Sequence, residues 1–146
     1  MTKKKASSSR RLPTWMWVGF AAFAIFLAIA LIFFRPASQD PSYPPEVSVP
    51  EAAEKRTAGA FILDVREPQE WEEIHIPDST LIPLGQLQSR LSEVPKDREV
   101  VVICRSGNRS QQGRDILLGA GFDKVTSMEG GIREWEAQGF PVTSGN

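Results

Sequence analysis

The chain has 146 residues and a formal net charge of −1, a length that holds one domain plus an appendage and argues against a two-domain enzyme. The charge is unevenly spread: residues 1–35 carry six Lys/Arg and no acid, whereas the rest carries 11 Lys/Arg against 18 Asp/Glu, a net of −7. An acidic body without a basic stripe argues against nucleic acid as a partner, and a lone cysteine, Cys104, with a lone histidine, His75, excludes an internal disulfide and an all-cysteine metal site.

Residues 1–14 form a basic terminus in which Lys3, Lys4, Lys5, Arg10 and Arg11 precede an apolar stretch. Residues 15–34 then run without one charged side chain, and at ~1.5 Å per residue a helix of that length crosses the ~30 Å hydrocarbon layer. Trp15 and Trp17 suit the headgroup level at its start and Arg35-Pro36 ends it. The stretch predicts a single-pass transmembrane helix. The basic residues ahead of it keep the amino terminus in the cytoplasm by the positive-inside rule, which puts the remainder on the extracytoplasmic side. Residues 35–46 are rich in proline and polar residues, the composition of an extended, semi-rigid linker.

From 47 to 146 short apolar runs alternate with helical patterns, the signature of βα units around a mainly parallel sheet. Residues 60–65 and 99–104 read as buried central strands, because they are short, β-branched and apolar on both faces. Weaker strand patterns fall at 47–49, 80–82 and 124–127. Helices are expected over 50–57, 68–73, 84–92, 109–120 and 131–138, and in the fourth Ile116, Leu117 and Ala120 make a packing stripe before Gly121 stops it.

Cys104 closes the most apolar strand, and Arg105-Ser106-Gly107-Asn108-Arg109 leads from it straight into a helix. In a parallel sheet such a loop lies beyond the carboxyl end of the strands, where unpaired backbone N–H groups gather. Gly107 and Asn108 both tolerate positive φ, so the loop can turn its amides inward around one anionic atom. A thiolate or persulfide on Cys104 gains from those amides and from the arginines, which lowers the thiol pKa and makes the sulfur both nucleophile and leaving group. A lone cysteine at a strand end is more often an inert small hydrophobe; the Gly-Asn turn and flanking arginines argue for chemistry here.

The run Cys104-Arg105-Ser106-Gly107-Asn108-Arg109-Ser110 resembles the active-site loop of single-domain rhodaneses. The segment 63–71 is similar to that family's first signature, His75-Ile76-Pro77 to its His-Ile-Pro segment, and 119–142, with Gly130-Gly131 and Trp135, to its closing pattern. The departures are Ile74, Asp78 and Ser79, where the family usually carries Gly before His-Ile-Pro and Gly-Ala after. The resemblance implies an α/β fold, a five-stranded parallel sheet flanked by helices, here preceded by one transmembrane helix. It implies a sulfurtransferase in which Cys104 takes sulfane sulfur from a small donor such as thiosulfate or a persulfide and yields it to a thiol or cyanide, with no cofactor and no metal. Arg105 would guide the anionic donor, Arg109 would shape the loop or bind the same anion, and Ser106 would donate to the persulfide. Asp64 and Arg66, at the end of the other central strand, are supporting candidates, with a structural ion pair the more economical role. His75 reads as a turn residue, because no carboxylate stands at a spacing that would orient it.

Two other functions fit less well. A phosphatase or arsenate reductase holds a tetrahedral oxyanion through Cys-x5-Arg, whereas the spacing from Cys104 to Arg109 is one residue shorter and suits a single sulfur atom. A membrane-tethered module that carries persulfide or binds a partner, with little turnover, would need the same loop.

Overall fold

The computed structural model describes residues 43–145. The basic terminus, the expected transmembrane helix at 15–34 and nearly all of the linker lie outside the described residues, among which no helix is long and apolar enough to cross a membrane.

In chain order the described elements are β1 (Glu46–Val47), α1 (Val49–Thr57), β2 (Phe61–Asp64), α2 (Pro68–Glu73), β3 (Thr80–Leu81), α3 (Leu84–Leu87), a 3-10 turn (Leu91–Glu93), β4 (Val100–Ile103), α4 (Asn108–Gly119), β5 (Val125–Met128) and α5 (Gly131–Ala137). The strands form one sheet in the order β1-β5-β4-β2-β3, every pairing parallel. β4 is fully buried because Val100-Val-Val-Ile103 offers a branched apolar side chain to both faces. On one face Val100, Val102 and Cys104 join Leu63 and Val65 beneath Leu87 of α3 and Leu117 of α4. On the other, Val101, Ile103 and Ile62 pack against Ala52 of α1 and Ile132 and Trp135 of α5. Gly113 lets α4 press on the first face: a Cβ there would stand 3.1 Å from Val102 and 3.3 Å from Val65.

Several expected boundaries shift. The first strand covers 46–47 rather than 47–49, because Ser48 ends it and caps α1, its amide donating to the Glu51 carboxylate at 2.8 Å. The helix expected over 84–92 breaks after Leu87. Gly85 and Ser89 are weak helix formers, the Ser89 hydroxyl donates to the Gln86 carbonyl at 2.9 Å, and Arg90 leaves the helical region at φ −115°, ψ 20°. Asn108 does not adopt positive φ; it is the first residue of α4, and Gly107 alone makes the turn, at φ +105°. Asp78 takes the left-handed conformation at φ 62°, at one of the positions where the sequence departs from the rhodanese pattern. The turn is held because Arg56 reaches the Pro77 carbonyl at 3.0 Å and the Asp78 carboxylate at 3.2 Å.

This topology creates a crevice. Asp64 of β2 stands level with Ile103 of β4, yet the chain leaves β2 toward β3 and leaves β4 toward β5, on opposite sides. Adjacent parallel strands whose connections diverge leave a gap at their carboxyl ends, the place where open α/β sheets bind ligands. The residues after β2 and after β4 border it.

Candidate active site

Cys104 follows β4 directly and is 1 % exposed. Its Sγ accepts the Gly107 N–H at 3.1 Å and lies 3.6 Å from the Ser110 hydroxyl. Burial works to raise the thiol pKa. Hydrogen bonds from the Ser106 N–H, the Ser110 hydroxyl, the Ser110 N–H and the Gly107 N–H together outweigh it, so the thiol lies below its ordinary value. An inert cysteine in a core needs none of these donors; a sulfur anion needs all of them. Cys104 is therefore packed into the apolar layer by its stem and met by amides at its tip.

The loop holds this shape for two reasons. Gly107 at φ +105° turns the chain so that successive amides converge, and the Ser110 hydroxyl donates to the Gly107 carbonyl at 2.6 Å, tying the turn to the start of α4. From behind, residues 131 and 132 close against it. Ile132 N–H donates to the Cys104 carbonyl at 2.8 Å, and a Cβ on Gly131 would fall 2.4 Å from that oxygen, 2.5 Å from the Arg105 carbonyl carbon and 2.6 Å from the Ser106 nitrogen. The Gly130-Gly131 pair thus serves close backbone packing at a helix start.

The arginines divide. Arg109 faces Glu70 of α2 and donates to both carboxylate oxygens, at 2.7 and 2.8 Å. The bonds from that guanidinium hold the Glu70 carboxyl at about 2. This clamp ties α4 to α2 across the crevice and commits Arg109 to the shape of the loop. Arg105, Ser106 and Asn108 are exposed, and among the described residues no carboxylate pairs with Arg105.

Asp64 and Arg66 turn to each other rather than to the sulfur. Arg66 Nη2 donates to Asp64 Oδ2 at 2.6 Å, Nε to both carboxylate oxygens, and the remaining donors reach the Glu70 and Ile74 carbonyls at 3.0 and 2.7 Å. With 0 % and 2 % exposure, this fully bonded pair fastens the end of α2 to β2. His75 stacks on Trp71 with ring centroids 3.8 Å apart, and its Nδ1 lies 2.9 Å from the Trp71 carbonyl; its backbone bridges to Thr143.

Sequence reasoning did not single out Ser110 or the partner of Arg109. A hydroxyl at the third position of a helix that follows a cysteine loop was a visible signal. The Glu70 contact spans 39 residues and had none.

These features define a class: a parallel α/β domain whose cysteine lies at the switch point with backbone amides and a hydroxyl turned toward its sulfur. The family model of the rhodanese-like domain matches residues 48–138, and the chain belongs to that family. Its relatives include sulfurtransferases. The sulfurtransferase of Allochromatium vinosum is 39 % identical over 88 residues, 60 % of this chain and 82 % of the relative. The thiosulfate sulfurtransferase GlpE of Pseudomonas syringae is 39 % identical over 92 residues, 63 % of this chain and 83 % of the relative. Among solved structures, the rhodanese-related protein of Thermoplasma volcanium superposes with a TM-score of 0.64 at 32 % identity, covering 68 % of this chain and 98 % of that one.

Proposed function

We propose that this protein is a membrane-tethered sulfurtransferase that moves sulfane sulfur from an anionic donor such as thiosulfate to a thiol or cyanide through a persulfide on Cys104. The Cys104 thiolate attacks the outer sulfur of thiosulfate; an Sγ–S bond forms, the S–S bond of the donor breaks, and its electron pair leaves with sulfite. An acceptor thiolate or cyanide then attacks the outer sulfur of the persulfide and the Cys104 thiolate departs. No proton must be taken from carbon or water, so no strong base is required, and the amides serve the anion on Cys104 before and after each displacement.

The observation that carries this reading is the Gly107 N–H at 3.1 Å from Sγ, with the Ser106 and Ser110 donors beside it. The phosphatase alternative needs a guanidinium over the cysteine to hold three oxygens, and Arg109 is bonded by both arms to Glu70 instead.

The test is intact-mass spectrometry after thiosulfate treatment, with thiocyanate production from thiosulfate and cyanide measured in parallel. Wild type gains one sulfur, ~32 Da, and forms thiocyanate; Cys104→Ser does neither. Phosphate release from p-nitrophenyl phosphate without thiocyanate would reverse the assignment.

The tether rests on the 20 uncharged residues at 15–34 and on the basic residues before them. Because Cys104 is enclosed, sidedness is best read with a membrane-impermeant maleimide on Ser144→Cys in a Cys104→Ser background, Ser144 being exposed. Labelling of intact cells supports an extracytoplasmic domain. Labelling only after lysis reverses the orientation, and extraction of the chain by alkaline carbonate removes the anchor.

A further inference from the structure

We propose that Arg133 is a second anion-binding residue of this site, and that with Arg105 it recognises the doubly charged end of a dianionic sulfur donor, an assignment that rests on the sulfurtransferase reading above.

The described residues contain eight arginines, and six have a carboxylate partner: Arg56 with Asp78, Arg66 with Asp64, Arg90 with Glu93, Arg98 with Asp97, Arg109 with Glu70 and Arg114 with Asp115. The two that remain without one among the described residues are Arg105 and Arg133. They are neighbours in space although 28 positions apart. The Arg133 N–H donates to the Arg105 carbonyl at 3.4 Å, one step beyond the Ile132 bond to the Cys104 carbonyl at 2.8 Å, and the missing Cβ of Gly131 brings these two stretches of backbone into contact. Both residues are exposed.

In a body that carries 11 Lys/Arg against 18 Asp/Glu, a carboxylate partner is easy to find, so two exposed arginines without one, on adjoining stretches of backbone at one loop, are conspicuous. Three carboxylates of the neighbourhood have other partners: Glu70 holds Arg109, Glu46 accepts the Gln111 amide at 3.1 Å, and Glu134 accepts the Gln138 amide at 2.9 Å. The chemistry explains the need. A dianion approaching a domain whose residues 47–146 carry 16 Asp/Glu against 11 Lys/Arg is repelled by the whole, and the fragment that departs after sulfur transfer carries its charge away from Sγ, on the solvent side of the loop. A single guanidinium at Arg105 meets one edge of that fragment. Arg133, rising from the adjoining backbone, meets another, and the planar fork of each donates to two oxygens at once. The Arg133 side chain is not among the groups bonded to Sγ, so its contribution falls on binding and not on the displacement.

The test compares donors of different charge on the full chain: thiosulfate, a dianion, and methanethiosulfonate, a monoanion, with cyanide as acceptor. Arg133→Gln raises KM for thiosulfate about threefold to tenfold, the scale of one charge-assisted contact in a solvated site, and raises KM for methanethiosulfonate less. It leaves kcat and the rate at which cyanide discharges the preformed persulfide unchanged. Arg133→Lys recovers much of the loss, and added salt shrinks the gap between wild type and Arg133→Gln. Unchanged KM for both donors, or an equal loss for both that Lys does not recover, overturns the role of Arg133 while the sulfurtransferase reading stands. Wild type that gains no sulfur from either donor by intact mass sinks both.

Discussion

At the scale of single residues the chemistry depends on where one hydroxyl proton goes. The Ser110 hydroxyl has a single proton, given in the resting protein to the Gly107 carbonyl at 2.6 Å, and its oxygen, 3.6 Å from Sγ, can then only accept from the thiol. Once Cys104 ionises, the thiol gives up its proton and the same hydroxyl can turn to donate to sulfur, which favours the anion. Ser110→Ala removes this donor and leaves the amides. The Cys104 pKa then rises, so at a fixed pH below it the thiolate fraction falls. In a rate-against-pH profile of iodoacetamide alkylation, the wild-type inflection lies below that of an ordinary thiol, and that of Ser110→Ala lies above wild type. An inflection that does not move leaves the main-chain amides solely responsible. The sequence disclosed Cys104 and Gly107 through residue type and position, since a turn between strand and helix needs a residue free to take φ +105°. It disclosed Arg109 without its partner: pairing with Glu70 is decided by how α2 and α4 come together, which no local spacing encodes.

At the scale of elements, the site is a loop pressed between two neighbours. In front, the Glu70–Arg109 clamp joins α2 to α4; behind, α5 begins so close to residues 104–106 that Gly131 has no space for a Cβ. Gly131 also stands at φ +62°, so alanine there meets backbone strain of about 1–3 kcal/mol and a clash with backbone atoms at 2.4–2.6 Å that no side-chain rotation relieves. Gly131→Ala is therefore expected to lower stability by about 2–5 kcal/mol and, in the fraction that folds, to displace the Cys104 and Arg105 carbonyls and loosen the amide ring. Denaturant unfolding reads the first effect and the alkylation profile the second. The central strands and long helices were legible because their apolar period and their stops, such as Gly121 after α4, are local properties. The stretch 84–92 was not, because its apolar residues fit a helix while Gly85, Ser89 and the turn at Arg90 divide it. The turn at Asp78 shows a different limit. A glycine is the usual way to reach φ 62°, and here contacts from Arg56, distant in sequence, hold an aspartate there.

For the whole molecule, the question is how much chain is needed to hold Cys104 in place. Both apolar layers draw on residues between Val47 and Val142, but the edge of the sheet depends on the few residues before them. β1 is only two residues long, yet it covers the outer side of β5. The Pro45 carbonyl just ahead of it receives the Ser127 N–H at 3.1 Å, the Ser127 hydroxyl at 3.2 Å and Arg114 at 2.7 Å. Removing this segment uncovers β5 as an open edge with unpaired backbone groups, a template for pairing between molecules, and leaves the Ser127 amide without a partner in an otherwise buried strand. A chain beginning at Tyr43 is accordingly expected to fold, remain monodisperse and retain whatever sulfur transfer the full chain performs. One beginning at Val49 should unfold at lower denaturant and form larger species on size exclusion, although it keeps Cys104, its loop and every helix. Equal midpoints and elution for the two would mean that the sheet is sufficient from β5 inward, and that β1 only directs the chain to the bottom of the domain.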